Sequence, residues 1–353
     1  MRQLYVTKTG LAIFDTARAY GLANLVVTAR GSGVRAVIED QDWCFIISVD
    51  KLPTNPPSGD KWAVLFQPEG TEWSRVFITY GQAAQGQQRK RVRQVLEKQF
   101  NDILSAYQNP LHSVTLGSSG ETLPGGLEPA AFKGLRHPSR RQYSEGPIKV
   151  PKEDWALACL GMATCAVYRY SREVAQGAYL ALLSVPEFVR FAYFRTVQQM
   201  LRGRGLRYRG VQNAAAHYAV LLADEVRKAR ARQPQLQDRF SGVDYFTLFR
   251  TGNQWKPSQG GRLNLGPLMN ALSSDPHATE PMLRWLDYCF RRGSTEGGEE
   301  LALATTEFVM RFDLTSYERL ARVFARFIAG NKVNIDNLPN EKTLKEVMGL
   351  VKA

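Results

Sequence analysis

The stretch QLYVTKTGLAIFDTARAYGLANLV, residues 3–26, changes its hydrophobic spacing part-way along. Its first five residues, QLYVT, have the apolar, β-branched and aromatic composition of a short strand. From residue 9 onward the apolar side chains recur at three- and four-residue steps, which is the spacing of a helix. The stretch therefore predicts a strand followed closely by a helix.

Further short segments rich in strand-forming residues follow before residue 85, separated by turn residues such as Gly31 and Pro53. These segments are VRAVIED, WCFIISVD, KWAVLFQP and RVFITYG. Because they are short and bounded by Gly and Pro, we expect a small antiparallel sheet with the first helix packed on it.

Helical spacing dominates the middle of the chain. A helix is predicted from residue 85 to about 107, since its apolar residues repeat along one face. We expect a capping box, Ser184 to Glu187, to start the helix SVPEFVRFAYFRTVQQML, and Gly203 or Gly205 to end it. The other two predicted helices are KEDWALACLGMATCAVYRY and NAAAHYAVLLADEVRKARARQ.

Gly, Pro and Ser make residues 108–150 and 234–275 the two long segments predicted to be irregular. After them come short amphipathic segments with short turns, the pattern of an up-and-down bundle. The predicted fold class is α+β: a mixed α/β N-terminal body with a small antiparallel sheet and basic loops, followed by a C-terminal helical bundle. We expect a basic body at 1–233, a loop-rich connection at 234–275 and the bundle at 276–353.

Composition excludes several classes of protein. Hydrophobic residues make up 44% of the 353, which is the composition of a globular chain. No stretch approaches the roughly 20 consecutive apolar residues of a membrane helix, and the first ten residues lack the apolar run of a signal peptide. The four cysteines and four histidines are scattered, without metal-ligand spacing, so we expect reduced thiols, a cytoplasmic protein, and no metal or cofactor.

The positive charge is unevenly distributed. The net charge is +13; residues 1–150 hold 18 Lys and Arg against 13 Asp and Glu, residues 151–233 hold 13 against 6, and the remainder hold 15 against 14. Arginine outnumbers lysine 32 to 14, which favours forked contacts to phosphate or guanine. A basic region joined to a neutral one indicates a polyanion-binding part and a protein-binding part. The alternative is an ordinary globular protein with a high isoelectric point.

Clustered cations are the candidate phosphate contacts. Like charges at the start of the helix at 85–107 oppose its dipole, and a bound phosphate would offset that cost; a solvated basic turn is the equal alternative. The stretch LRGRGLRYRG, residues 201–210, is a second basic cluster at a helix junction. The candidates are Arg89, Lys90, Arg91, Arg93, Arg140, Arg141, Arg202, Arg204, Arg207 and Arg209.

No catalytic motif occurs in the sequence. There is no G-x-S-x-G, no supported Cys/His pair and no clustered acids for two-metal chemistry. GSSGETLPGG, residues 117–126, lacks the G-K-[ST] of a phosphate loop, so a nucleotide-hydrolysing site is not expected. We therefore expect a binding protein and not an enzyme.

The segment KTGLAIFDTARAYGLA, residues 8–23, resembles the N-terminus of the compact Cascade large subunits of type I CRISPR systems. It is most similar to the Myxococcus-like branch of subtype I-B, which also occurs in transposon-associated Cascades. The resemblance implies a non-catalytic subunit that recognises the protospacer-adjacent motif (PAM), aids duplex opening and guides the displaced strand. The implied partners are crRNA, double-stranded target DNA, the backbone and crRNA 5′-end-binding subunits, and a helicase-nuclease or transposition adaptor.

Within that function, the two irregular segments hold the side chains suited to base edges. Asn and Gln pair with adenine, whereas Arg and Lys pair with guanine. The PAM-reading candidates are Asn109, Lys133, Arg136, Gln142, Asn253, Gln254 and Lys256. On the bundle, Arg319, Arg322 and Arg326 recur on one helix face and are candidates for the displaced strand; the alternative is that they pair with nearby acids.

Two other functions remain open at this stage. A viral or plasmid nucleic-acid packaging protein would also be basic and non-catalytic, but it should bind any strand alone and oligomerise. An enzyme with a site dispersed along the sequence would show metal-dependent cleavage in a direct assay.

Overall fold

The computed structural model describes residues 1–31, 34–67, 69–117, 119–128, 148–171, 177–206, 210–233, 235, 237–252, 254–330 and 341–352. The strands are β1 (Arg2–Thr7), β2 (Ala36–Asp40), β3 (Cys44–Val49), β4 (Glu121–Thr122), β5 (Lys149–Val150), β6 (Val167–Ser171), β7 (Ala178–Arg190), β8 (Arg239–Thr251) and β9 (Gln254–Asn264). The helices are α1 (Ala12–Arg30), α2 (Asp60–Phe66), α3 (Trp73–Val76), α4 (Gln82–Lys98), α5 (Phe100–Gln108), α6 (Lys152–Cys165), α7 (Phe191–Gly203), α8 (Val211–Arg232), α9 (Gly266–Ser274), α10 (Pro276–Gly293), α11 (Glu299–Arg311), α12 (Leu314–Gly330) and α13 (Glu341–Lys352).

The main sheet has the strand order β1-β3-β2-β7-β8-β9, with β6 also paired to β7. Its pairing is antiparallel where β1 and β2 flank β3, with Leu4 opposite Ile47 and Ile38 opposite the same residue. The small β4–β5 pair forms a separate antiparallel sheet. The predicted strand and helix at 3–26, the antiparallel sheet and the α+β fold class are confirmed.

Helix α1 is enclosed by protein along most of its length, since every residue from Ile13 to Val26 is buried. It packs on the sheet and most extensively against α6, which is likewise buried on all sides. The two helices meet through glycine: a Cβ added at Gly21 would stand 1.9 Å from the Leu157 carbonyl oxygen. A Cβ at Gly161 would stand 1.8 Å from the Ala17 carbonyl oxygen. Only residues without a side chain permit this backbone approach.

Asp15 fixes the turn between β1 and α1. Its carboxylate accepts the backbone N–H groups of Thr9, at 2.8 Å, and Gly10, at 3.1 Å, and also the Thr9 hydroxyl. This capping satisfies donors that the tight turn leaves without a ladder partner. Lys8 pairs with Asp40 and donates to the Gln41 carbonyl at 2.7 Å, so the whole Lys-Thr-Gly part of the segment at 8–23 has a local structural role.

Arg18 ties four elements together from a fully buried position. Its guanidinium donates to Asp15 at 2.8 Å, to Asp154 on α6 at 3.0 Å and to the Thr7 carbonyl on β1. Tyr107 on α5 donates its hydroxyl to the same Asp154 carboxylate. Burial alone would lower the pKa of Arg18, but its partners Tyr107, Asp154 and Asp15 raise it above its ordinary value. A buried cation is stable only with such partners.

Four of the predicted local elements are wrong. The segment 61–68, predicted as a strand, contains most of α2, and the segment 75–81 contains only the end of α3 and a turn. The helix predicted over residues 152–170 ends at Cys165, and its last residues belong to β6. The proposed capping box is also wrong, because Ser184 and Glu187 lie in β7 and the helix starts only at Phe191. Pairing of Phe188 with Glu39 on β2 keeps this stretch extended, so tertiary pairing outweighs the local helix signal. The helix does end at Gly203, as predicted.

The predicted loop-rich connection at 234–275 is also wrong. It forms the long strands β8 and β9 and the helix α9. Gly252 has φ +58° and lies at the turn between the two strands. β9 lies at the end of the strand order, where a proline such as Pro257 is tolerated.

The segment 108–150 is partly ordered. Gly117 exchanges two backbone hydrogen bonds with Lys149. Leu123 and Leu127 are fully buried, and buried Glu128 accepts the N–H of Phe14 at 3.1 Å near the start of α1. Such a carboxylate complements the positive end of the helix dipole. Residues 129–147 lie outside the described part of the chain.

The chain divides into two compact units: residues 1–198 with 246–260, and residues 199–245 with 261–353. In the second unit the predicted helices of the C-terminal bundle are confirmed as α10 to α13. Helix α8 packs against α10 and α11 in the same unit, with Asn213 donating to Thr306 at 2.8 Å. The division therefore differs from the expected boundaries at 233 and 275.

Candidate nucleic-acid interface

Helix α4 carries the most concentrated positive charge of the predicted clusters. Between Gln82 and Lys98 it holds five Lys and Arg against one acid, Glu97, a net charge of +4. Only Val92 and Leu96 are buried, so the helix is attached to the first unit by a narrow apolar stripe. Apart from Glu97, the long exposed side chains of the helix end in amide, amine and guanidinium groups, which are suited to phosphate contacts.

The predicted residues on α4 differ in what they contact. Lys90 is exposed, and Arg89 is half-buried. Arg91 pairs with Glu121, and its guanidinium carbon lies 5.7 Å from the ring centre of Trp155. Arg93 lies 3.8 Å from the Glu97 carboxylate and 5.8 Å from the ring centre of Trp62.

The predicted position of these cations at the start of a helix is wrong, because α4 begins at Gln82 and Arg89 is its eighth residue. The dipole acts mainly within the first turn of a helix, so these cations incur no such cost. Their concentration on an exposed helix is the remaining reason to assign them to phosphate.

Three further polar residues on the same helix, Gln87, Gln94 and Lys98, were not among the predicted contacts. Gln87, Lys90, Gln94 and Lys98 recur at three- and four-residue steps, and all four are exposed. They therefore form one polar stripe along α4, which we call the α4 stripe. The signal was present as polar periodicity, but periodicity is normally read for apolar residues, which mark the core.

The second basic cluster, at 201–210, belongs to the other unit. Arg204 donates to Glu225 at 2.5 Å and lies 3.9 Å from Asp224, both on α8. Arg202 is half-buried in the last turn of α7. Arg207 and Arg209 lie outside the described residues. Phosphate contact by this cluster stays a prediction, and Arg204 is already engaged by two carboxylates.

The three arginines of α12 contact groups of the bundle itself. Arg319 pairs with Glu307, Arg326 pairs with Glu300 at 2.9 Å, and Arg322 donates to the Glu318 carbonyl at 3.3 Å. All three side chains are exposed. These contacts favour the alternative that the arginines balance nearby acids, and binding of a displaced strand stays a prediction.

The base-reading candidates are scattered. Asn109 is exposed after α5 and accepts the N–H of Leu111 at 3.0 Å, an arrangement typical of a local turn. Lys256 is exposed on β9. The other five base-reading candidates lie outside the residues or side chains that the structure describes: Lys133, Arg136, Gln142, Asn253 and Gln254. Two of the phosphate candidates, Arg140 and Arg141, also lie outside the described residues.

Within the described ranges, no group of three or more His, Cys, Asp or Glu side chains is placed to hold a metal ion. The helices of those ranges all lack the combination of length and apolar composition that a membrane span needs. All four cysteines are free and buried. Burial raises the pKa of the Cys44 thiol to about 11 and raises the pKa of Cys159 and Cys289.

No protein-family model matches the chain. The chain is similar to an uncharacterized protein of Archaeoglobus fulgidus, with 28% identical residues over 366 aligned positions. The alignment covers 99% of each chain, so the similarity runs through both units and is not confined to the segment at 8–23. The relative carries no assigned function.

Proposed function

We propose that the protein is the non-catalytic large subunit of a crRNA-guided DNA surveillance complex of the type I Cascade kind. In this role it binds the PAM-bearing duplex, aids strand opening in the cytoplasm and recruits a helicase-nuclease or a transposition adaptor. The resemblance of residues 8–23 supports this family, and the charge of α4 supports a contact with nucleic acid.

The observation that carries the proposal is the charge and exposure of α4. A net charge of +4 over 17 residues, on a helix with two buried side chains, serves no need of the core. Fixed cations along a helix attract phosphate backbones and orient them without reading sequence. A subunit of a guided complex has this requirement, because base pairing with the guide reads the target while protein holds the strands.

The buried network around Arg18 has a supporting role in this proposal. It accounts for the Lys-Thr-Gly turn and Asp15 as structural residues, so the resembling segment contributes the scaffold and not the contact surface. The contact surface is then the α4 stripe with the neighbouring arginines.

The first experiment measures how nucleic-acid affinity of the full chain depends on salt. Each lost phosphate contact lowers the magnitude of the slope of log K against log salt by roughly 0.7–0.9. Lys90→Gln/Arg93→Gln is therefore expected to lower it by about 1.4–1.8 if both residues touch phosphate. The matched control is Arg284→Gln/Arg311→Gln, which removes the same charge from exposed bundle residues that pair with their own acids.

Equal slopes for the wild type and the α4 variant would refute the α4 contact. An equal fall in both variants would show that overall charge, and not α4, sets the affinity.

The second experiment tests the assembly. The full chain is co-expressed with the products of its neighbouring genes and a repeat-spacer array, and the purified material is analysed for crRNA. We expect a ribonucleoprotein that discriminates PAM from non-PAM duplexes. A chain that remains alone, binds any strand and oligomerises would instead support a packaging protein.

A further inference from the structure

A second surface of the first unit combines aromatic rings with cations. Tyr170 on β6 and Tyr179 on β7 are cross-strand partners, and their ring centres are 5.0 Å apart. The Tyr179 ring centre is in turn 5.1 Å from that of Trp255 on β9. We call these three residues the aromatic array.

The array is accessible and held in place. Tyr170 is 50% exposed, one of the few large aromatic side chains with that much exposure, while Tyr179 and Trp255 are half-buried. Gly177 has φ +81°, and a Cβ there would stand 2.3 Å from the Tyr170 hydroxyl oxygen. The Tyr170 ring therefore lies against glycine backbone, a position that a larger residue would not permit.

Cations accompany the array. The guanidinium carbon of Arg75 lies 4.1 Å from the ring centre of Tyr179, a cation–π distance. The backbone N–H of Arg250 donates to the Gly177 carbonyl at 3.3 Å, and its exposed guanidinium donates to the Gly252 carbonyl at 3.1 Å. The Glu72 carboxylate also acts on Tyr179. Among the residues that the structure describes, two arginines, Arg75 and Arg250, therefore lie beside the array against this acid, which favours a polyanion.

We propose that the aromatic array binds unpaired bases of a single-stranded nucleic acid, with a base stacked on the exposed face of Tyr170. Exposed rings on neighbouring strands of a sheet, beside arginine, are how proteins hold single strands without strict sequence preference. Bases in a duplex are stacked on each other and cannot use such rings. This inference rests on the proposed function only for the class of ligand, which is nucleic acid. The residues of the aromatic array are separate from α4.

The experiment compares the binding of labelled oligothymidylate and oligouridylate, each about 20 nucleotides long and so longer than one such site, to the full chain. Tyr170→Ala/Trp255→Ala is expected to weaken single-strand affinity by roughly five- to 150-fold per stacked base. The salt slope stays unchanged, because stacking releases no counterions. The DNA and RNA arms distinguish a displaced DNA strand from crRNA as the source of the bases.

The control is Tyr5→Ala/Trp43→Ala, which removes a stacked Tyr–Trp pair away from the array, with ring centres 6.4 Å apart and Trp43 52% exposed. Tyr170→Phe/Trp255→Phe retains the rings and is expected to bind as the wild type does, which guards against a folding defect. Photocrosslinking with 5-iodouracil should join the strand to Tyr170 or Trp255.

The inference would be overturned if the alanine variant bound single strands with wild-type affinity, or if it lost only a co-purifying protein. The proposed function would still be tested separately by the salt slope of the α4 variant. If the salt slope is unchanged in the α4 variant but binding is weaker in the array variant, the array binds nucleic acid and α4 does not contact phosphate.

Discussion

Replacing Gly21 by alanine tests the contact between α1 and α6 on which the first unit is built. In an unobstructed helix this change is stabilising by roughly 0.5–1 kcal/mol, because glycine is the more flexible residue in the unfolded chain. At Gly21 the new Cβ would lie 1.9 Å from the Leu157 carbonyl oxygen, whereas ordinary contact begins at 3.4 Å. The obstacle is backbone, so no side-chain rotation relieves it.

The two helices must therefore separate by about 1.5 Å, the difference between those distances. Because α1 is buried from Ile13 to Val26, the movement opens gaps along its whole contact with α6 and loses dispersion contacts. Overpacking of this kind costs typically 1–3 kcal/mol, which exceeds the gain in helix propensity. We expect net destabilisation of about 1–2 kcal/mol and a fall in Tm of roughly 2–4 °C per kcal/mol.

The assay combines thermal unfolding with hydrogen–deuterium exchange of the peptide that contains α1, so that the first unit is observed separately from the second. Gly86→Ala is the matched control: Gly86 also lies inside a helix, α4, but a Cβ there meets nothing within 4 Å. The control should be neutral or stabilised. A second change, Gly161→Ala, should add little to Gly21→Ala, because one separation of the helices relieves both contacts.

A Gly21→Ala protein as stable as the Gly86→Ala protein would show that α1 and α6 do not touch at this point. The packing described for the first unit would then be incorrect.

Three further outcomes can be measured on the same protein. Arg18→Met should destabilise the first unit by about 3–5 kcal/mol in a denaturant titration, because it leaves Asp15 and Asp154 buried without their cation; stability equal to the wild type would contradict the network. Burial raises the pKa of Asp287, but hydrogen bonds from His217 and Arg291 outweigh it, so the pKa is lower in the folded protein. Its contribution is therefore present above the ordinary aspartate range near pH 4 and lost as the pH falls below it, and Asp287→Asn should flatten that acid limb of the stability curve. Native protein should leave all four cysteines unreacted toward a thiol reagent until denaturant is added; a fast-reacting thiol would contradict their burial.

Deleting the C-terminal bundle is a poor test of its function. His217 on α8 is fully buried and hydrogen-bonded to Asp287 on α10 at 2.8 Å. Removal of residues 276–353 would expose that face of α8, so we expect truncated protein to be less soluble and more readily proteolysed at α8 than the full chain. Equal protease resistance would show that α8 does not depend on the bundle.

The amino-acid sequence alone determined the elements whose signals are local. Apolar periodicity predicts the strand and helix of residues 3–26, the helix through α4 and α5, and the four C-terminal helices. The backbone geometry of a helix or strand places such periodic apolar residues on one face, which is then buried. The positive charge on α4 was equally visible, since charge is a property of composition and needs no tertiary contact.

Tertiary structure decided the elements whose stability comes from distant partners. Residues 184–190 contain a helix-start pattern but lie in β7, where residues 188–190 pair with β2. Residues 254–264 contain glycine, proline and serine but form β9. Asp154 lies 136 residues from its partner Arg18, Glu225 lies 21 residues from Arg204, and Glu307 lies 12 residues from Arg319. Only the folded chain therefore shows which arginines are already neutralised by such acids. Likewise the rings of Tyr170 and Trp255 both contact Tyr179 only because the sheet brings different strands together. The residue spacing along one strand does not show which strand lies beside it.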